Sequence, residues 1–147
     1  MGNFIQGKDG NLYGIKSSGG AYGAGAIDKY NTATGALTAL YNFTGNTDGG
    51  YAYNGQSLAT DASGNFYGMS TYSGVNNSGG IYKITPSGSF TLIYSFTGGN
   101  DGQQPFGNVI VGKDGMLYGM ARRGGLYGFG VIFKCSTDGT VFDTIHS

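Results

Sequence analysis

The sequence predicts an all-β chain built from three copies of one four-stranded antiparallel sheet, and three observations carry that prediction. Gly occurs 31 times in 147 residues, about three times its usual share, and Gly in such number marks turns. Glu is absent and charged residues make up 11% of the chain, against a usual share of about 25%, which leaves little material for solvent-facing helices. Above all, DGNLYG (9–14) returns as SGNFYG (63–68) and DGMLYG (114–119).

The repeat keeps a long register. Gly10, Gly64 and Gly115 stand 54 and then 51 residues apart, and Lys29, Lys83 and Lys134 repeat both spacings. A disordered Gly/Tyr/Ser/Asn tract would hold no such order. A period of about 50 residues is that of a propeller, in which each unit buries a face against its neighbour. The fold expected is therefore a β-propeller-like array of three four-stranded antiparallel blades, in one repeat domain with units at about 1–54, 55–106 and 107–147. A β-trefoil or β-prism with threefold pseudo-symmetry is the alternative, and a closed threefold domain of that kind would be monomeric.

Each unit reads as a meander. The first strand is FIQ (4–6), with copies LAT (58–60) and VIV (109–111), apolar enough to be covered on both faces. An Asp-Gly or Ser-Gly turn follows, where Gly10, Gly64 and Gly115 supply positive φ, and it opens the second strand at 12–16, 66–70 and 117–121. The aromatic of the turn motif packs between units, and Gly14, Gly68 and Gly119 leave room for a ring or backbone. A Gly-rich hairpin leads to the third strand, GAIDKY (25–30), GGIYKI (79–84) and GVIFKC (130–135). Alternation there puts Ala26, Asp28 and Tyr30 on one face and Ile27 and Lys29 on the other. Turns at Thr34-Gly35, Ser87-Gly88 and Asp138-Gly139 start the fourth strand, at 37–43 and 90–96 in the first two units. The links FTGNTDGGYAYNG (43–55) and FTGGNDGQQPFGN (96–108) then carry the chain to the next innermost strand.

Function classes narrow from charge and from single residues. Eight basic and eight acidic side chains give a net charge of zero, so neither a nucleic-acid footprint nor adsorption to anionic lipid is expected, and no apolar stretch is of membrane length. His146, the sole His, stands in the column of Tyr41 and Tyr94 and reads as a packing or edge residue. Cys135, the sole Cys, stands in the column of Tyr30 and Ile84 and reads as a buried strand thiol. No catalytic residue is assigned.

Two loop sets remain as candidates. NTDGG (46–50) and GNDGQ (99–103) set Asp48 and Asp101 beside Asn and Gly, as oxygen-ligated Ca²⁺ loops do, but the further acids and the final Glu of such loops are absent. Turn chemistry is the preferred reading there, with Ca²⁺ as a weak alternative and no other cofactor expected. The hairpins SSGGAYGAG (17–25) and RRGGLYGFG (122–130) place Tyr22 and Tyr127 in one column, with Asn76 between them in the middle unit. Tyr rings on Gly-rich tips suit a sugar face, and Asn76, Arg122 and Arg123 suit its hydroxyls. The competing reading is that these rings plug the seams between blades.

DGNLYG, SSGGAYGAG, IYKITPSG (81–88) and YSFTGGNDG (94–102) together resemble the GloVer tandem repeat of bacterial proteins, over essentially the whole chain. That resemblance implies propeller-like repeats in exported proteins that end in varied surface anchors, and it brings no enzymatic activity. The chain itself shows neither leader nor anchor, so an extracellular or cell-surface location is expected of a parent protein. GNFIQGKDG (2–10) copies GNVIVGKDG (107–115), whereas the last unit stops one residue short of the Phe of FTG. Three blades fall short of the four to eight that close a propeller. The expected partners are thus other copies of the repeat, in a longer chain or as a homodimer, and carbohydrate. The function expected is a rigid, non-enzymatic interaction or display scaffold; a glycan-binding module and a fragment of a polysaccharide-active enzyme are the alternatives.

Overall fold

The computed structural model describes residues 3–50 and 56–147; the part of the first link at 51–55 lies outside them. The described residues hold strands and turns and no helix. Blade 1 comprises β1 (Ile5–Gln6), β2 (Leu12–Lys16), β3 (Ala26–Tyr30) and β4 (Leu37–Asn42), hydrogen-bonded in chain order. Blade 2 repeats the order with β5 (Ala59–Thr60), β6 (Phe66–Ser70), β7 (Gly80–Ile84) and β8 (Phe90–Ser95). In blade 3, β10 (Ile110–Val111), β11 (Leu117–Arg123), β12 (Val131–Cys135) and β13 (Phe142–His146) do the same. All pairings between these strands are antiparallel.

One element was not legible in the sequence. β9 (Gln103–Pro105) lies in the second link and pairs with the upper part of β11, Ala121 opposite Pro105 and Arg123 opposite Gln103. That extra partner extends β11 to Arg123, two residues past the expected end. Pro105 argues against a strand by composition, but the ladder's far edge ends there and no N–H is needed from it.

Alternation within each strand divides every blade into two faces. The face of blade 1 carrying Tyr13, Ile15 and Ile27 packs on Leu58, Phe66, Tyr82 and Ile84 of blade 2. Blade 2 then turns Tyr67, Met69 and Ile81 toward Val109, Leu117, Phe133 and Cys135 of blade 3. The chain thus has two seam cores, and blade 2 is the one covered on both sides. A trefoil or prism would gather all three units round one threefold core.

The seams share their fittings. Tyr41 stacks on Phe90 at 4.7 Å between ring centroids, and Tyr94 stacks on Phe142 at 3.9 Å. Phe43 and Phe96, the Phe of each FTG, meet Tyr82 at 5.5 Å and Phe133 at 5.3 Å edge-on. A β-bulge falls in the same column of every blade, between Ile27 and Asp28, Ile81 and Tyr82, and Ile132 and Phe133. It pushes out Leu40 and Ile93, and the outer-turn glycine of the next blade settles on their carbonyls, Gly88 on Leu40 and Gly139 on Ile93. A Cβ at Gly88 would stand 2.7 Å from the Leu40 oxygen, closer than any side chain tolerates. These turn glycines therefore serve the approach of two backbones as well as their positive φ of 90° and 76°.

Gly14, Gly68 and Gly119 do leave room for rings. Tyr82 covers Gly68 and Phe133 covers Gly119 from within the same sheet, but Gly14 is covered by Phe4. Blade 1 has Asp28 in the column of Tyr82 and Phe133, paired with Lys16 at 3.0 Å. Phe4 in turn stands in the column of Leu58 and Val109, so large and small residues have changed places between two strands of the same face. Leu58 and Val109 are 4% and 2% exposed, whereas Phe4 is 59% exposed because no blade lies against it.

Candidate functional site

The hairpins and the links share one edge of the sheets, since the chain enters and leaves each meander there. A side-chain oxygen at the end of each outermost strand holds the adjacent hairpin. Asn42 Oδ1 accepts from Ala21 N at 2.9 Å, Ser95 Oγ from Val75 N at 2.9 Å, and Ser147 Oγ from Leu126 N at 2.7 Å. Link carbonyls fasten the second and third hairpins to the preceding unit, Thr47 O accepting from Gly74 N at 3.2 Å and Gly99 O from Gly125 N at 2.9 Å. The tips are consequently pinned at their bases, with Tyr22 and Tyr127 exposed at their ends.

Tyr22 and Tyr127 are such residues, 66% and 69% exposed on the hairpin tips. They do not plug the seams, which are filled by the Tyr–Phe stacks described above. Asn76 is exposed in the same column, its amide donating to Phe96 O at 3.5 Å. Arg122 and Arg123 are successive residues of β11 and so leave the sheet on opposite faces. Arg122 Nε donates to Gln104 Oε1 at 2.9 Å, and Gln104 itself has a left-handed φ of 57°. The five residues share an edge of the array and converge on no single cavity.

Asp48 and Asp101 are occupied in closing the links. Tyr41 Oη, Thr44 N and Thr44 Oγ1 donate to Asp48 at 2.9, 2.8 and 2.7 Å, and Tyr94 Oη, Thr97 N and Thr97 Oγ1 surround Asp101 in the same way. Partial burial and then the adjoining carboxylates push the Tyr41 and Tyr94 phenols well above the ordinary tyrosine range. Among the described residues no group of three His, Cys, Asp or Glu side chains is placed to hold a metal.

The opposite edge repeats the pairing. Tyr13 Oη donates to Asp9 at 2.8 Å, Tyr67 Oη to Asp61 at 2.8 Å, and Tyr118 Oη to Asp114 at 2.7 Å. Burial works against the charge of Asp9, yet donation from Lys29, Asn11 and Tyr13 outweighs it and holds the carboxyl well below its ordinary range. Asp61 is lowered by Asn65, Tyr67 and backbone N–H groups against the same opposing burial. Asp138 is held at about 2 by Ser136 and Thr140. With Asp28 on Lys16, seven of the eight carboxylates are engaged within the fold, and Asp143 is the exception.

His146 is exposed on β13, and Cys135 is fully buried, its thiol pushed up to about 11 by burial and then by Asp138. His146 helps line a concavity of about 410 Å³ on the outer face of blade 3, with Phe106, Met120, Phe129 and Ile132. Sequence reasoning missed that concavity, the Asn42/Ser95/Ser147 column and the role of Asp61. The column alone had a visible signal, polar residues ahead of each FT.

Two solved structures share the architecture. A protein assigned as a gluconolactonase superposes with a TM-score of 0.63 at 11% identity, over 98% of this chain and 48% of its own. A streptogramin B lyase superposes with a TM-score of 0.57 at 16% identity, over 95% of this chain and 38% of its own. The chain thus spans less than half the length of either. No curated protein sequence matches it. The fold, the triplicate register and a family model that covers residues 1–147 agree: the chain belongs to the Gloeobacter/Verrucomicrobia repeat family.

Proposed function

We propose that this chain is a rigid, non-enzymatic interaction scaffold, displayed outside the cell as part of a bacterial surface protein. The observation that carries the reading is the use of the carboxylates. Acid–base hydrolysis of a glycoside needs two carboxyl groups converging on the substrate, and seven of eight here are engaged by phenols, hydroxyls, backbone N–H groups or a lysine. The same pairs make each blade stiff. The gluconolactonase and the lyase lend no reaction to this chain, since likeness at such identity is a likeness of fold.

Incubation of the purified chain with panels of lactones, aryl glycosides and polysaccharides should give no turnover. Turnover that Asp143→Asn abolishes would assign an enzyme instead. Protease shaving of intact source cells should release peptides of the repeat if it is displayed.

A second reading is favoured by the exposure of Tyr22 and Tyr127 on pinned tips. Repeated Tyr-bearing tips would bind glycan, with Asn76, Arg122 and Arg123 at the margins, each site weakly and the array more tightly through multivalency. Hits on a glycan array that vanish with Tyr22→Ala and Tyr127→Ala would support it, and a blank array for the wild type would end it.

A further inference from the structure

We propose that the outer face of blade 3 is an acceptor for blade 1 of a second copy of this chain, so that two copies join head to tail at both ends into one closed ring of six blades. The inference stands apart from the scaffold reading, since a ring of this kind is compatible with an enzyme as well.

The two internal seams state what covers such a face. Met120 and Ile132 occupy the columns of Met69 and Ile81, which are 2% and 0% exposed under blade 3, yet Met120 and Ile132 are 56% and 42% exposed. Phe129 is 89% exposed in the column where Ser78 is covered at 4%. In the inner seam the link that leaves blade 2 supplies that cover on its way to blade 3, Gln104 N donating to Ser78 O at 2.8 Å and Thr71 Oγ1 to Pro105 O at 3.3 Å. Large apolar side chains grouped and exposed on one strand-built face mark an interface. At the other end of the chain, blade 1 exposes the matching face, with Phe4 at 59%, Leu37 at 61% and Tyr30 at 37%. The exchange of Phe4 and Asp28 keeps an aromatic ring over Gly14 on that face.

Two further seam fittings have unmatched halves at the same two ends. Ser57 N of blade 2 donates to Asn108 Oδ1 of blade 3 at 2.7 Å; Asn3 stands in the column of Asn108 and is exposed, ready to accept from Asn108 N of another copy. The bulged Leu40 and Ile93 each carry an outer-turn glycine on their carbonyls, whereas the bulged Ile145 is 54% exposed and Gly35, at φ 73°, meets no carbonyl, a Cβ there standing 3.8 Å from the Tyr30 hydroxyl of its own blade. Face, inner-strand Asn and outer-turn Gly therefore agree on one partner and one register. The contact is heterologous, and such a contact closes only if the rotation per blade returns to the start. This chain covers 48% of the gluconolactonase chain and 38% of the lyase chain, so a second copy supplies the remaining blades of a ring of the first size.

Analytical ultracentrifugation of the intact chain should give a species of twice the 15.2 kDa chain mass. Met120→Asp with Ile132→Asp, and separately Gly35→Asn, which keeps a residue tolerant of left-handed φ, should each raise the dimer dissociation constant at least tenfold with the circular dichroism unchanged. Asn3→Cys and Asn108→Cys, made in separate chains and mixed under oxidation, should form a mixed disulfide in preference to either self-pair, as Cys135 is buried. A monomer at all concentrations, an assembly larger than two chains, a dimer indifferent to Met120 and Ile132, or Asn3→Cys self-pairing would each overturn the proposal. The disulfide readout decides even if an Asp substitution impairs folding.

Discussion

The Tyr67 phenol donates to Asp61 at 2.8 Å, although in the other two units the partner carboxylate, Asp9 or Asp114, lies two columns further along the chain. The unit with Ser63 at the usual acid position has placed Asp61 in the column of Gly7 and Gly112. Those two glycines explain the exchange, for a Cβ on Gly7 would stand 2.9 Å from Asp9 Oδ1 and one on Gly112 would stand 2.6 Å from Asp114 Oδ1. One carboxylate fits beneath the ring, and it arrives from either column.

Asp61→Gly should accordingly destabilise the chain by about 1.5–3 kcal/mol, the cost of a charge-assisted hydrogen bond lost from a buried phenol. Adding Ser63→Asp should recover most of that loss, because it recreates the arrangement of Asp9 with Gly7. Urea unfolding of the two variants measures both. Equal stability of single and double variant would refute the exchange.

The seam aromatics should dominate stability. Phe96 is fully buried against Phe133 and Phe142, so Phe96→Ala should cost about 3–5 kcal/mol by lost transfer energy and the cavity left behind. Phe4→Ala, on the face that no blade of the same chain covers, should cost under about 1 kcal/mol in the monomer. Chemical denaturation at a concentration below dimerisation gives both values, and a larger loss for Phe4 would contradict the seam assignment.

Stability should fall on both sides of a wide plateau. Burial and Asp acceptors raise the folded-state pKa of Tyr13, Tyr41, Tyr67 and Tyr94. The unfolded chain therefore releases protons first, and their contribution is whole below about pH 10 and is lost as pH rises beyond it. Asp9, Asp61 and Asp138 have lowered folded-state values, so their contribution is present above about pH 4 and is lost as pH falls below it. Thermal melts from pH 2 to 12 should show Tm level from about pH 5 to 9 and falling outside. An unchanged Tm at pH 11.5 would remove the alkaline limb.

Gln56 is 2% exposed, and neither its Oε1 nor its Nε2 finds a hydrogen-bond partner among the described residues. A buried amide without partners costs about 1–3 kcal/mol. Gln56→Met, of similar length, should raise the urea midpoint. A lower midpoint would show that the amide is satisfied in solution.

Residues 3–50 and 56–147 contain the strands that the repeat led one to expect, within a residue or two at each end. Those features are local. Turn glycines at positive φ, period-two alternation and the column of LYG depend on neighbours a few residues away, and each is written three times. Recurrence of those local rules was enough to determine three meanders of about fifty residues. Contact between units was decided by the tertiary structure, since a seam asks that volume and hydrogen bonds be supplied from somewhere and does not specify the strand. Phe4 can thus replace the ring of Tyr82, Asp61 can stand in for Asp9, and β9 can form on a proline-containing link because β11 leaves an edge to pair with. The exposure of Tyr22 and Tyr127 has the same origin: their tips are pinned outward by Asn42 and Ser147, residues twenty positions later that meet the hairpins only when the sheet has formed.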